Sequence, residues 1–586
     1  MNWDLTKIYL NDEEFSKACE EVTNMVNEIS ALEGKLKDKD VFIQLLKLQR
    51  DIEINLSKVY LYAHLGSDLN KKDLSKMSLL NKVMVIIQAY GQKSSYIEPE
   101  LLSIGYDVVM GNLTDEVAEF RFILEKMFHQ AGHILSKNSE ELISQISPAL
   151  NPGRELYSML VVADGVSKEA DLSTGKTLVT QGNWAGLIAE SKSAEDRKKI
   201  FEALYETYDL HKNTLAKIYD NIMEANKSMM KVRGYKSILE SHLYHNNIPT
   251  SVYETLVKVA GNNNASLKKY FQLRKEYLGL EEYHTYDRFM HLASASKKYT
   301  YEEAKELFFA SLEHFPTEFR EKAHIALEDG YVDVTEKPGK RSGAYSSGVI
   351  NMHPYILLNY TNTLENVFTV AHEAGHSMHS LFAGEAQPPM LQDYTIFVAE
   401  IASTFNEHNL LDYLMNSGIL SHEERIMLLE RAINSIASTF YRQTLFAEYE
   451  LIASRMKENN ETLNYQNLSQ IMIDLYKKYY DLDITKEGLK QYVWAYIPHL
   501  FYTPFYVYQY ATSFAASFKL YQDVKNKVPG AYVRYTNLLK AGGSKYPIDE
   551  AIEAGIDFTK EETFLAVVNR LDELVTLLEK EIIKYE

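Results

Sequence analysis

The sequence of 586 residues holds a single cysteine, Cys19. No internal disulfide can form, so the fold must rest on a packed core. With no histidine near it in sequence, the thiol is expected to be buried or incidental, not a nucleophile. Long apolar runs are missing as well. Lys82 interrupts the stretch at residues 77–89 and Asp164 the one at 160–166, so no membrane span is expected. Basic patches are also lacking. Sixty-two Lys and Arg stand against 81 Asp and Glu, a net charge of −19 spread along the chain, which argues against a nucleic-acid partner. The opening MNWDLTKIYLNDEEF has no basic-then-apolar signal pattern. A cytoplasmic protein is the expectation. No fixed-period repeat is present, which excludes a solenoid.

What the chain does have is apolar bulk. At 46% hydrophobic residues it can bury a large core and build more than one lobe. Residues 12–137 are dense in Glu, Lys, Leu and Met and read as helices carrying no recognisable chemistry. Residues 172–184 look strand-like or irregular. A soft boundary near residue 195 gives an N-terminal helical lobe, 1–195, and a catalytic region, 196–586.

The chemistry centres on residues 364–384, LENVFTVAHEAGHSMHSLFAG. Leu364, Val367, Phe368, Ala371, Gly375, Met378 and Phe382 recur at helical spacing and form a buried stripe. Thr363 is suited to cap the N-terminus and Gly384 to end the helix. On another face His372 and His376 lie one turn apart, with Glu373 after the first. This HExxH spacing offers two nitrogen ligands to zinc and a carboxylate beside the open position. A third ligand is then needed. Residues 391–418, after the Pro388-Pro389 break, read as a second amphipathic helix stopped by Gly418. On it Glu400, Thr404 and Glu407 share a face. Glu400, flanked by Ala399, Ile401 and Ala402, is the expected third ligand. Glu407 is the expected acceptor for a spare imidazole N–H.

Two further stretches carry candidates. In residues 332–348, VDVTEKPGKRSGAYSSG, the glycines and serines leave little to hold a regular element; a surface loop and a mobile segment closing over substrate both fit. Gly343 and Tyr345 are its candidate substrate contacts. The following VINMHPYILLNYT is interrupted by Pro354, which suggests an edge strand able to align an extended peptide. In residues 494–514, WAYIPHLFYTPFYVYQYATSF, Pro504 is suited to begin a helix with Tyr506 and Tyr510 one turn apart. His499 and Tyr502 precede it. Imidazole and phenol donors suit a developing oxyanion, and rings packing in a core helix are the alternative.

HEAGHSMH followed by FVAEIASTFNE resembles the thimet oligopeptidase family of zinc peptidases, the oligoendopeptidase F branch above all. The resemblance implies a mainly α, two-lobed, zincin-like metallopeptidase with a small β-sheet near the active site and a deep substrate channel or cavity. It implies one Zn²⁺ per chain on His372, His376 and Glu400, with Glu373 as general base activating a zinc-bound water. His379 matches the extended motif and is carried over as structural. His499 matches the family histidine, and Tyr510 ranks first among the tyrosines, before Tyr502 and Tyr506. The expected function is a zinc-dependent endopeptidase acting on short peptides. A zinc carboxypeptidase and a non-catalytic, metal-stabilised helical protein are the alternatives. Oligomeric state is not legible.

Overall fold

The computed structural model describes residues 2–150 and 152–585. Among these the chain is mainly helical, with a two-stranded and a three-stranded sheet. Among the described residues no helix is long and apolar enough to cross a membrane. The chain forms two compact units, each assembled from three separated segments. Residue 195, where the sequence suggests a boundary, lies inside one such segment, His133–Ser296.

The first unit comprises Met1–Gly132, Lys297–Asn416 and Ala516–Ile556. Its helices Asp12–Ile29, Lys39–Leu69 and Leu74–Ser94 each begin on an Asn or Asp whose side chain accepts backbone N–H groups of the first turn. Their apolar faces bury Phe15, Leu45, Leu46, Ile52 and Val83, with Cys19 sealed among them. Trp3 joins this core to the sheet by donating from its indole Nε1 to Ile356 O at 2.8 Å.

The three-stranded sheet belongs to this unit. With β1 (Lys168–Leu172) and β2 (Gly175–Val179) forming a hairpin in the other unit, its strands are β3 (Val332–Thr335), β4 (Tyr345–Ser347) and β5 (Tyr355–Tyr360). The order is β3-β5-β4, parallel then antiparallel, with Val332 opposite Ile356 and Tyr345 opposite Leu357. Two expectations change here. The glycine- and serine-rich stretch is a loop only in its middle, since both its ends are strands. β5 is the central strand, not an edge, because Pro354 lies just before its first residue and removes no ladder hydrogen bond from within it. The edge is β4. Lys340 staples the intervening loop to the sheet: its buried ammonium donates to Asp333 Oδ1 at 2.5 Å and to the carbonyls of Thr335 and Leu358 at 2.9 and 2.5 Å.

The second unit comprises His133–Ser296, Ser417–Ala515 and Asp557–Glu586. Its core is rich in tyrosine. Tyr205, Tyr219, Tyr253 and Tyr449 are all buried, so a good share of the chain's 42 tyrosines is packing material. Buried ion pairs accompany them, Arg197 Nε with Asp287 Oδ1 at 2.8 Å and Lys457 Nζ with Asp220 Oδ1 at 2.5 Å.

Candidate metal and catalytic site

The motif helix runs Leu364–Ala386. Thr363 caps it, accepting from Asn366 N while the Asn366 side chain reaches back to the cap. Gly384 does not end it. The helix continues two residues further and stops at Gln387, in extended backbone, one residue before Pro388. The second helix is Ile396–Ser417, with Gly418 following at φ +73°.

Gly375, between the two motif histidines, is where these helices meet. A Cβ built there would lie 2.6 Å from both Ala402 O and Ser403 Cα, so only glycine permits this approach. The closeness brings Glu400 to the histidines. Glu400 Oε2 stands 3.4 Å from His372 Nε2 and 3.5 Å from His376 Nε2, and the two Nε2 atoms are 3.2 Å apart. Four donors at about 2.05 Å from a tetrahedral zinc lie about 3.3 Å from one another, so this triangle has the size the ion requires. Among the described residues it is the only group of three or more His, Cys, Asp or Glu side chains close enough to share an ion.

Each donor is held from behind. His372 Nδ1 lies 2.6 Å from Glu407 Oε1, which orients the ring with Nε2 toward Glu400 and His376. Burial opposes charge on His372, but the Glu407 carboxylate, with Glu373 and Glu400, outweighs it and holds the ring up at about 9. His376 donates to the Ala399 carbonyl; burial and the charge on His372 push it down to about 4. Ser403 Oγ donates to Glu400 Oε2 at 3.0 Å.

Glu373 is 6% exposed, and its Oε2 is buried with no hydrogen-bond partner among the described residues. Burial raises its carboxyl to about 7, against the pull of His372, and the Ser346 backbone N–H holds the carboxylate from β4. Ser346 Oγ also meets Ser377 Oγ of the motif helix at 2.8 Å. His379 is fully buried, stacked 3.6 Å from Tyr394, and burial pushes it down to about 3. It lies outside the triangle.

A cavity of about 1020 Å³ opens on this cluster. Tyr345, with the rest of β4, forms one wall, and its hydroxyl donates to buried Asp68 Oδ2 at 2.7 Å. Gly343 precedes the strand at φ +84°, which only glycine takes freely, and it is not among the lining residues. Glu53 and Ser57, from the helix Lys39–Leu69, also line the cavity. Sequence reasoning left that helix without a role. No motif marks them, and only the packing of the helix on the sheet brings them here.

The aromatic candidates lie in the second unit. The helix expected from Pro504 begins instead at Tyr508, because residues 503–507 form an irregular turn. His499, Tyr506 and Tyr510 still converge. The His499 ring is 6.1 Å from each tyrosine, parallel to Tyr506 and perpendicular to Tyr510, and the two tyrosines are 5.4 Å apart. Burial lowers the His499 pKa. Tyr502 packs elsewhere, edge-on to Tyr157 at 5.5 Å and under the Arg154 guanidinium at 5.4 Å.

Comparison with known proteins identifies the family. The family model described as peptidase family M3 matches residues 187–570, and one described as oligopeptidase F matches residues 100–165. The oligopeptidase PepF of Bacillus subtilis is 35% identical over 99% of this chain and 87% of its own. The crystal structure of oligoendopeptidase-F from Enterococcus faecium superposes with a TM-score of 0.75 at 26% identity, over 98% of this chain and 100% of that one. A crystal structure from Chlamydophila abortus superposes at 0.90 with 32% identity, covering 99% and 98%.

Proposed function

Given that this chain belongs to peptidase family M3 and is an oligopeptidase, we propose that it is a zinc-dependent endopeptidase of short peptides. His372, His376 and Glu400 hold one Zn²⁺ per chain in this reading, and Glu373 is the general base. The observation that carries it is the 3.2–3.5 Å triangle of donors beside a buried glutamate oxygen that has no hydrogen-bond partner among the described residues. Bound zinc lowers the pKa of a coordinated water to about 7 and polarises a carbonyl.

The chain's own residues do the rest. Glu373 takes the proton of the attacking water and returns it to the leaving amine. Its buried setting keeps the carboxyl close to neutrality in proton affinity, which suits both directions of transfer. Glu407 fixes the orientation of His372. His499 and Tyr510, whose rings meet in the second unit, offer imidazole and phenol donors of the kind a developing oxyanion needs, each such donor typically contributing about 3 kcal/mol. Tyr506 packs against both, and Tyr502, engaged with Tyr157 and Arg154, is the weaker candidate. The edge of β4, from Tyr345 to Ser347, aligns an extended peptide by strand addition, with Gly343 giving the loop before it its turn. A cytoplasmic location belongs to the same reading.

Among the described residues the cavity lining contains no lysine or arginine to hold a terminal carboxylate, which favours an endopeptidase over a carboxypeptidase. Peptides blocked at both ends separate the two: an endopeptidase cuts them before chelation and again after zinc is restored. Glu373→Gln is expected to keep one zinc per chain and lose at least about 100-fold in kcat. Turnover near the parent level in that variant removes Glu373 as the base.

A further inference from the structure

Phe505 lies one residue before Tyr506 and adopts φ +59°, a left-handed conformation that bulky residues rarely take. Its ring is buried between His242 and Tyr253, at 4.9 and 5.9 Å. Its backbone N–H donates to Glu450 Oε1 at 2.7 Å. Glu450, on the helix Arg442–Glu458, is 1% exposed, and its Oε2 has no hydrogen-bond partner among the described residues. Tyr219, Tyr253 and Tyr449 surround it, yet the Tyr253 hydroxyl is spent on Ala447 O. No cation among the described residues pairs with this carboxyl. Burial holds it up at about 8, so it sits in the core as a neutral acid near neutral pH.

A buried carboxyl with one bond is a poor stabiliser, since an apolar side chain of that volume avoids the desolvation cost. Its one bond goes to a strained peptide between His499 and Tyr510. We propose that Glu450 is a positioning residue: by holding Phe505 in its left-handed conformation it fixes the turn at residues 503–507, and so the placement of Tyr506 against His499 and Tyr510. Without the acceptor, the turn relaxes toward the ordinary backbone regions and Tyr506 loses its fixed place beside the other two rings.

The inference rests on the proposed role of His499 and Tyr510 only for its kinetic consequence, and the test separates the two. Glu450→Gln keeps an acceptor for Phe505 N–H. Glu450→Met fills the same space without one and is chosen over alanine to preserve packing. With a blocked peptide, Glu450→Met is expected to lose 10- to 100-fold in kcat, with KM within threefold and one zinc per chain, while Glu450→Gln stays within threefold of the parent. Adding Tyr510→Phe to Glu450→Met should lose little beyond the worse single variant, because both act through one cluster. With fluorotyrosine at position 506, one sharp ¹⁹F line is expected in the parent and Glu450→Gln, and a broadened or multiple signal in Glu450→Met. An unchanged fluorine signal in Glu450→Met, or equal losses in both Glu450 variants, overturns the positioning role. Parent-like turnover in both His499→Ala and Tyr510→Phe overturns the catalytic reading instead, leaving the fluorine result to decide on Glu450.

Discussion

Gly375→Ala tests the proposed metal site through the contact between its two helices. In an ordinary helix this substitution stabilises by about 1 kcal/mol, because alanine is the better helix former. Here the added methyl would lie 2.6 Å from Ala402 O and Ser403 Cα, both backbone atoms of the facing helix. Carbon contacts relax at about 3.5 Å or more, so the helices must separate by roughly 0.9 Å. The Glu400–histidine edges of 3.4 and 3.5 Å then open beyond 4 Å, by about that same displacement. Three donors each about 2.05 Å from one ion cannot average more than about 3.6 Å apart, so the triangle no longer fits at normal bond lengths. Overpacking of this kind costs about 1–3 kcal/mol, enough to cancel the gain in helix propensity. We expect zinc affinity, measured by chelator competition, to fall at least about 100-fold, a loss of roughly 2.7 kcal/mol, and Tm to fall with it. A variant with parent zinc affinity and a raised Tm would refute the reasoning, since helix propensity alone gives that result.

Glu407→Ala removes the acceptor 2.6 Å from His372 Nδ1 and is expected to weaken zinc binding about 10- to 100-fold; unchanged affinity in the same competition assay would deny Glu407 its orienting role. Tyr345→Phe leaves Asp68 to Lys71 and Arg341 and should lower stability by about 1.5–3 kcal/mol, read in a thermal scan, with zinc content intact. Glu550, 4% exposed, is held up at about 8 by burial, from an ordinary 4.5. The folded state therefore binds the extra proton, and stability declines as pH rises from about 4.5 through 8, by up to roughly 5 kcal/mol from this group. Glu550→Gln should flatten that decline in Tm, and parallel curves for parent and variant would contradict it.

The parts of the site that lie on one helix were legible because helical spacing is local arithmetic. Residues four apart share a face, so His372 and His376 were paired before any fold was known. Glu400 was within reach for the same reason, once a short break and a second apolar stripe were seen. What spacing could not give was the contact between the helices. Gly375 reads as one small residue in an apolar stripe, and only the facing backbone of Ala402 and Ser403 gives its missing side chain a meaning. Local signals also misled where context outweighed them. Gly384 and Pro504 carry stop and start preferences, yet helix packing continued past the first and the turn at Phe505 displaced the second. Glu53 and Ser57 had no local signature, because their role as cavity wall exists only in three dimensions.

The first unit draws on three stretches of chain that end at Gly132, Asn416 and Ile556. Phe405, on the helix that carries Glu400, is stacked 4.0 Å from Tyr535. On a ribosome adding about 5–20 residues per second, that partner emerges on the order of ten seconds later. Through that interval the nascent polypeptide holds His372, His376 and Glu400 but lacks the ring that packs against the helix bearing Glu400. The helix bearing Glu400 thus reaches its packed position only after residue 535 has been made.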